Sequence, residues 1–267
     1  EYYIHAQKAD MWAAFNSPSW ENHHAFPKGK DDPDLLEMKS SMTKEVFDQE
    51  MGAEFTSLSG RVYNDFSRRT HVGNYPYNSM LPVFLALDFG YRMPAALFFQ
   101  VARLGDKGEE HIFIVDEIIH EKNLKISDLV AAIKKKNYRI ARVFGDPAGY
   151  QMQSSVGMGE ADIFRQLTGL PVITRRDKLS RSIQSGISHV RQFMMSAEGS
   201  VRLHIDQSCM GIVEDIESYR YPEHKEGSNL KNEPLKDGYH DHGCDCLRYG
   251  IIGKFPIRNQ KYKVSSR

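Results

Sequence analysis

Three apolar segments that follow one another closely are the strongest constraint on how this chain can fold. Residues 83–89, 95–102 and 111–119 each have the length and composition of one β-strand, and a GDKG turn at residues 105–108 joins the last two. Connections this short join antiparallel neighbours, because a parallel crossover needs a dozen or more residues. The sequence therefore predicts three antiparallel strands in succession.

Beyond residue 120, helix and strand patterns alternate along the chain. Helical patterns cover residues 126–137, 161–167, 180–197 and 209–219, and short strands are predicted at residues 139–144, 171–174 and 201–205. Antiparallel strands followed by such alternation predict an α/β fold, in which helices cover both faces of a mixed sheet. This order of elements is that of a ribonuclease H-like (RuvC-like) fold.

The first part of the chain differs from the rest in its amino-acid composition. Residues 1–75 are polar and interrupted by three prolines, and we expect a linker or the remnant of a neighbouring domain, with two short helices of which the second begins at Thr43. Residues 76–256 would form the sheet domain and residues 257–267 a C-terminal tail. The polar, turn-rich segment 221–238 is predicted to be a loop or an exposed hairpin.

Composition narrows the class of protein only coarsely. The 267 residues are 40% hydrophobic and 26% charged, which is ordinary for a globular chain, and the formal net charge of zero means that any nucleic-acid-binding charge must be local. Three cysteines, Cys209, Cys244 and Cys246, are too few for a disulfide framework and favour a reducing, cytoplasmic setting. Because no apolar run approaches about 20 residues and no signal-peptide pattern is present, we expect neither a membrane span nor export.

Two aspartates stand at the ends of predicted strands. Asp88 follows the uninterrupted apolar run 83–87, which is typical of a central strand buried on both faces, and Asp146 follows strand 139–144 at a Gly-Asp-Pro turn. Each alone could be a turn or helix-capping residue. If the strands are neighbours, however, the two carboxylates repel each other, and a metal ion between them is the main way to keep both ionised.

A third acidic cluster lies near the C-terminus. Residues 241–249 have helical spacing, so that Asp245 would face the two strand-end acids with Asp241 and His242 one turn away. Carboxylate oxygens suit Mg²⁺, and three convergent acids can hold two ions, of which one activates water and the other stabilises the leaving oxygen. Asp88, Asp146 and Asp245 therefore outline a two-metal nuclease.

The same C-terminal segment allows a zinc interpretation. His240, His242, Cys244 and Cys246 are plausible ligands, but structural zinc sites usually take ligands from two separated pairs, and no second pair with suitable spacing lies upstream.

Other charged residues are candidates for weaker roles. The stretch 174–191 is rich in Lys and Arg against one Asp, and its members could follow DNA phosphates or form a solvated helix face. The candidates for DNA contact are Arg175, Arg176, Lys178 and Arg181. Asp116 and Glu117 are neighbours in a strand, so only one of them can face the site. Arg248 is expected to pair with an acid inside the fold.

Four motifs together resemble a known family. LALDFGYRMPAA, the VDEI strand, VFGDPAG and the C-terminal DHGCDCLRYG are similar to the C-terminal nuclease domain of the terminase large subunits of tailed bacteriophages, over roughly residues 40–255. The resemblance implies a metal-dependent endodeoxyribonuclease that cuts concatemeric viral DNA during genome packaging. It also implies that Asp88, Asp146 and Asp245 bind the metal, with Asp241 or His242 as an accessory ligand. The family usually has Ala at the position of Cys246.

The resemblance also implies cofactors and partners. These are two Mg²⁺ or Mn²⁺ ions, double-stranded DNA, the portal protein, the small terminase subunit and a covalently linked ATPase domain, in the cytoplasm of the host cell. No G-x-x-x-x-G-K-[ST] loop is present, so we expect the chain to cut DNA without hydrolysing ATP. Residues 1–75 would be a linker or the C-terminal remnant of the motor domain, with residues 1 to about 40 as its trailing end. Segment 221–238 would lie near the DNA entrance.

Two functions of other classes stay open at this point. An actin-like or sugar-kinase-type phosphotransferase also places an Asp-x-Gly turn after its first strand, which LALDFG and GDPAG fit loosely, but it needs two such domains. A non-catalytic docking module of a packaging motor would use the acids only structurally. For the nuclease we expect little sequence preference and binding that weakens steeply with salt, because no base-reading element is recognisable.

Overall fold

The computed structural model of the chain describes residues 15–53, 60–90, 93–106, 108–151, 157–222 and 233–257. These residues form one seven-stranded sheet with helices packed against it. The strands are β1 (Val72–Gly73), β2 (Val83–Asp88), β3 (Ala95–Leu104), β4 (Glu109–Ile118), β5 (Ile140–Gly145), β6 (Val172–Ile173) and β7 (Leu203–Asp206).

The helices lie before, between and after these strands. They are α1 (Pro33–Ser41), α2 (Lys44–Glu50), α3 (Arg68–His71), α4 (Ile126–Lys135), α5 (Glu160–Thr168), α6 (Lys178–Arg181), α7 (Ile183–Met194), α8 (Met210–Ser218) and α9 (His240–Lys254), with short 3-10 helices at Ser19–Glu21, Gly29–Asp31 and Pro147–Tyr150. Within the described residues, none of these helices combines the length and the apolar character needed to cross a membrane.

The strand order in the sheet is β1-β7-β4-β3-β2-β5-β6. Strands β2, β3 and β4 are antiparallel neighbours, whereas β5 and β6 continue the sheet parallel to β2, and β7 and β1 continue it parallel to β4. The predicted α/β fold is confirmed: this is a ribonuclease H-like mixed sheet, and the three adjoining apolar segments form its antiparallel centre.

Both faces of the sheet are covered, which explains why β2 shows no alternation of polar and apolar residues. All six residues of β2 are buried. Phe84 and Ala86 pack into the larger hydrophobic core with α7, α8 and α9, while Leu85 and Leu87 pack into a second core with α4 and α5. A strand enclosed in this way must be apolar on both sides, so Asp88 at its end is the first residue with access to the edge of the sheet.

Helix α9 lies close to the sheet because small residues face β2 and β5. A Cβ atom on Gly250 would lie 2.7 Å from the Cβ of Ala86, and one on Gly253 would collide with the ring of Phe144. Side chains normally hold helices and sheets apart, so these two glycines let α9 approach more closely than other residues would allow. This approach sets the depth at which the first turns of α9 reach the ends of β2 and β5.

The predicted single helix over residues 180–197 was wrong. The chain forms α6 and α7 instead, and Ser182 between them has extended dihedral angles of φ −74° and ψ 120°. Its side chain accepts a hydrogen bond from the backbone N–H of Ser185 at 3.2 Å and so caps α7. A serine hydroxyl that competes for backbone donors favours a helix start over a helix interior, and this local effect outweighs the continuous helical pattern.

The N-terminal region contains the two short helices that were predicted. Asp32 caps α1 and Thr43 caps α2 through hydrogen bonds to backbone N–H groups, and a separate small core forms between them around Leu35 and Phe47. Residues 62–66 and β1, in contrast, pack onto the main sheet. The division of the chain at residues 76 and 257 stays a prediction, and most of segment 221–238 lies outside the described residues.

We expect Gly250→Ala to lower the free energy of unfolding by up to about 2 kcal/mol, because overpacking against β2 costs about 1–3 kcal/mol and helix propensity returns about 1 kcal/mol. The measurement is urea unfolding followed by circular dichroism. Adding Ala86→Gly, which removes the opposing methyl group, should restore part of the loss. The double variant should then lose less unfolding free energy than the sum of the losses of the two single variants. Additive losses would show that the contact does not limit the approach of α9.

Candidate active site at the ends of strands β2 and β5

The site begins where two parallel strands end side by side. Leu87 of β2 pairs with Gly145 of β5, so the next residues, Asp88 and Asp146, emerge at the same edge of the sheet. Asp88 is 7% exposed. Asp146 is partly exposed, and its Oδ1 accepts a hydrogen bond of 2.9 Å from the backbone N–H of Ala148, which caps the short helix that follows. One acid is thus buried and the other opens to solvent.

Helix α9 adds a histidine to this pair. Nδ1 of His242 lies 2.8 Å from Oδ2 of Asp88, and Gly90 leaves room for the ring, because a Cβ there would lie 2.5 Å from Cε1 of His242. Burial raises the pKa of Asp88, the bond to His242 lowers it, and the negative charges of Asp245 and Asp146 raise it further. The same bond to Asp88 raises the pKa of His242. The imidazole therefore compensates part of the charge that burial makes costly.

Asp245 is held by two cations of its own chain. Its Oδ1 accepts a hydrogen bond of 2.7 Å from a terminal nitrogen of Arg248, and its Oδ2 lies 3.3 Å from Nζ of Lys236. Asp245 and Arg248 are 5% and 4% exposed, so this is a buried ion pair. The expectation that Arg248 pairs with an acid inside the fold is confirmed.

Asp241 lies in the same helix, one turn before Asp245, as its spacing predicted, and it has a structural partner of its own. It is buried, and its Oδ1 accepts a hydrogen bond of 2.7 Å from the backbone N–H of Gly238, which closes the chain onto the start of α9. Burial raises the pKa of the Asp241 carboxyl. In the structure it holds the entry into the helix, while its role toward a metal stays a prediction.

The acids approach one another without forming a complete metal cage. Among the described residues, no group of three or more His, Cys, Asp and Glu side chains converges closely enough to hold a metal ion. The reason is that His242 engages Asp88, while Lys236 and Arg248 engage Asp245. The donors themselves are carboxylate oxygens, the hard ligands that Mg²⁺ and Mn²⁺ prefer. The residues therefore fit such an ion in their donor chemistry.

The zinc interpretation is not supported. Cys244 and Cys246 are buried in the core, and burial raises the pKa of both thiols well above the ordinary value. His240 pairs with Asp237 at 2.6 Å, and His242 pairs with Asp88. Helix α9 places His240 and Cys244 on one face and His242 and Cys246 on another, and the four do not meet at one point within the described part of the chain.

Asp116 and Glu117 have structural partners instead of a place among the acids. Asp116 accepts hydrogen bonds from Lys136 at 2.8 Å and from the Tyr138 hydroxyl at 3.0 Å. Glu117 accepts bonds of 2.7 and 2.8 Å from the backbone N–H groups of Gly211 and Ile212, at the start of α8. A carboxylate at a helix N-terminus is stabilised by the helix dipole, which gives Glu117 a role in positioning α8.

Sequence reasoning missed a buried acid beneath the first turn of α9. Asp215 of α8 is fully buried, its Oδ1 lies 2.7 Å from Nε2 of His120, and its Oδ2 lies so close to Gly243 that no side chain fits there. Burial, followed by the charge of Glu117, raises the pKa of Asp215 to about 9. On an amphipathic helix such as α8, nothing in the sequence distinguishes this aspartate from an exposed one.

The four predicted DNA-contacting cations fall into two groups. Arg175 and Arg181 line a cleft of about 260 Å³ whose wall includes Asp146. Arg176, Lys178 and Arg181 are all exposed, but Arg176 and Lys178 lie outside the described lining of this cleft. Contact of any of the four with DNA stays a prediction.

Comparisons with known proteins agree with the resemblance. The large terminase subunit of Escherichia phage T5 is 21% identical over 248 residues, which are 88% of this chain and 52% of that protein. The chain thus spans about half the length of the curated relative that it matches. No family model matches the chain. The sequence match confirms the resemblance to terminase large subunits.

Solved structures share the fold. The large terminase of a thermophilic bacteriophage superposes with a TM-score of 0.63 and 15% identity, over 92% of this chain and 64% of that one. The nuclease domain of the large terminase of bacteriophage SPP1, solved with bound Mn, is a weaker match, with a TM-score of 0.47 and 12% identity over 73% of this chain and 97% of that one. The structure from the thermophilic phage confirms the fold assignment.

We expect Arg248→Met to lower the free energy of unfolding by about 3–5 kcal/mol, because it leaves Asp245 buried without its closest cation. Urea unfolding at pH 7 gives the value. The double variant Arg248→Met with Asp245→Asn removes both charges and should recover a large part of the loss. If the double variant is as unstable as Arg248→Met alone, packing of the arginine side chain, and not the charge pair, stabilises this region.

Asp215 should make stability depend on pH. Its pKa of about 9 in the folded chain lies above the ordinary value of about 3.9, so between these limits the folded state holds one proton more than the unfolded state. The unfolding free energy then falls as pH rises, by up to about 1.4 kcal/mol per pH unit. Asp215→Asn cannot lose that proton and should gain stability relative to the parent between pH 5 and about 9. Thermal or urea unfolding curves that stay parallel across this range would contradict the assignment.

Proposed function

We propose that this chain is the nuclease part of a terminase large subunit and hydrolyses phosphodiester bonds of double-stranded DNA during viral genome packaging. The observation that carries the proposal is the pairing of β2 with β5, which places Asp88 and Asp146 side by side with the His242 end of α9 against Asp88. Buried acids that lie together at one edge of a sheet lower the stability of the fold. Their presence therefore indicates a site that binds cations and phosphate.

Asp88, Asp146 and Asp245 are the residues that would hold two divalent ions, Mg²⁺ or Mn²⁺, with Asp241 and His242 as accessory groups. When bound, such ions lower the pKa of water and stabilise the charge that develops on the leaving oxygen. The proposal is supported by the donor chemistry and by the charge of Asp245 and Asp146 that Asp88 experiences.

The protein's own contribution is to hold these carboxylates in place. His242 fixes the carboxylate of Asp88, Arg248 and Lys236 fix that of Asp245, and the helix start at Ala148 fixes that of Asp146. These bonds fix the orientation of each carboxylate before a metal or a phosphate binds, and metal binding would replace some of them. The partial exposure of Asp146 leaves a side open to the substrate.

The substrate and partners follow from the same proposal. Cleavage would show little sequence preference, because the contacts expected at such a site are to the DNA backbone, which carries no direct sequence information. The portal protein, the small terminase subunit and a covalently linked ATPase domain would be its partners, in the cytoplasm of the host cell. The chain would act on concatemeric DNA as an endonuclease.

The test is nicking of supercoiled plasmid with Mn²⁺, Mg²⁺ or a chelator. We expect metal-dependent nicking by the parent and a loss of about 100-fold or more in Asp88→Asn and Asp146→Asn, because an amide in place of a carboxylate weakens metal binding. The control is Asp106→Asn on the exposed turn after β3, which should nick as the parent does. Added Mn²⁺ should also raise the thermal midpoint of the parent but not that of Asp88→Asn.

Two other outcomes would replace the proposal. ATP turnover without nicking would indicate the phosphotransferase class. A folded parent that neither nicks DNA nor gains thermal stability from Mn²⁺ would indicate a docking module in which the acids are structural. Nicking that persists in chelator would rule out the metal-dependent chemistry.

A further inference from the structure

A cleft with both charged and apolar walls opens directly beside Asp146. It is walled by Gly145 and Asp146 on the sheet side, by the α6 region and by one face of α9, and it encloses about 260 Å³. The cationic and hydroxyl side chains of its lining are Arg175, Ser180, Arg181, Lys236 and Arg248. Sites for drug-sized ligands enclose about 300–1,000 Å³, so this cleft suits a single small anionic group better than a whole nucleotide cofactor.

The cleft contains a polar group whose bonding is incomplete. Arg175 donates a hydrogen bond of 3.1 Å to the backbone carbonyl of Gly253, and the exposed side chain of Arg181 also lines the cleft. Nε of Arg175 is buried and lacks a hydrogen-bond partner within the described part of the chain. Ser180 is 6% exposed, and its hydroxyl lies near the carboxylate of Asp177, whose pKa is lowered by the backbone N–H of Ser180 and by this hydroxyl. A buried donor without an acceptor is costly, and an anion in the cleft would satisfy the guanidinium of Arg175.

The cleft is continuous with the acids of the candidate site. Asp146 belongs to both, and Arg248 and Lys236 line the cleft while also contacting Asp245. Successive phosphates of one DNA strand follow one another at short intervals, with a rise of about 3.4 Å per nucleotide along the helix axis. A strand that presents one phosphate to Asp88 and Asp146 would therefore carry a neighbouring phosphate past the mouth of the cleft.

We propose that this cleft is a built site for a backbone phosphate of the strand being cut, with Arg181 and Arg175 as its main donors and Ser180 as a third. This inference rests on the proposed nuclease function, and it separates the basic stretch into two parts. Arg181 and Arg175 bind phosphate in the cleft, whereas Lys178 and Arg176 lie outside its described lining. Arginine suits such a site because its planar fork matches the phosphate oxygens.

The chain provides matched controls for this proposal. Arg181 and Lys178 stand at opposite ends of the same short helix, and Arg175 and Arg176 are adjacent, so each pair removes one positive charge from nearly the same place. The measurement is fluorescence anisotropy of a labelled duplex of about 20 base pairs in chelator, so that no cleavage takes place. We expect Arg181→Ala and Arg175→Ala to weaken binding about tenfold and to lower the salt slope by about 1, whereas Lys178→Ala and Arg176→Ala change binding less than about twofold.

The outcomes separate this inference from the nuclease proposal. Equal losses in all four variants would show that only diffuse charge attracts DNA, and would overturn the cleft as a site even if nicking depends on Asp88. Unequal losses without any nicking would support the phosphate cleft and overturn the catalytic proposal alone. Because Arg175 also bonds to Gly253, the thermal midpoint of the Arg175→Ala variant is compared with that of the parent. Ser180→Ala, which leaves the charge unchanged, provides a second test. If this variant binds DNA as the parent does, Ser180 is not part of the site.

Discussion

Helix α9 lies directly against β2 and β5 because Gly250 and Gly253 present no side chain to Ala86 and Phe144. This close contact is the constraint on which the rest of the candidate site depends. It brings His242 to within hydrogen-bonding distance of Asp88, and it buries Asp245 beside the same edge of the sheet. A larger residue at position 250 would move the helix outward and separate the acids of the helix from the acids of the strands.

Burial of several acids in one place needs a source of positive charge. In this structure the chain supplies it through His242, Arg248 and Lys236, each of which bonds to an acid that would hold a metal ion in the proposed function. These bonds keep the carboxylates oriented, and they also explain why the acids do not converge fully. Metal binding would therefore exchange one set of positive charges for another, so the free energy needed to break these ion pairs is subtracted from the affinity for the metal.

Much of the fold followed from the sequence. The uninterrupted apolar run of β2, the short turns around it and the alternation beyond residue 120 depend on local patterns, and they predicted the sheet and its layers correctly. The break at Ser182 was missed because one hydroxyl overrides an otherwise continuous helical period. The burial of Asp215 was missed because a polar residue on an amphipathic helix looks the same whether it faces water or a partner such as His120.

The sequence by itself determined the type and order of the elements and the two aspartates that end β2 and β5, because hydrophobic periodicity and turn chemistry act over a few residues. The tertiary structure alone decided which acid pairs with which cation, that Asp241 closes the start of α9, and that Arg175 and Arg181 face a cleft while Arg176 and Lys178 do not. These outcomes depend on contacts between residues that are far apart in the chain, and the free energy of such contacts comes from burial and from charge pairing that no local pattern records.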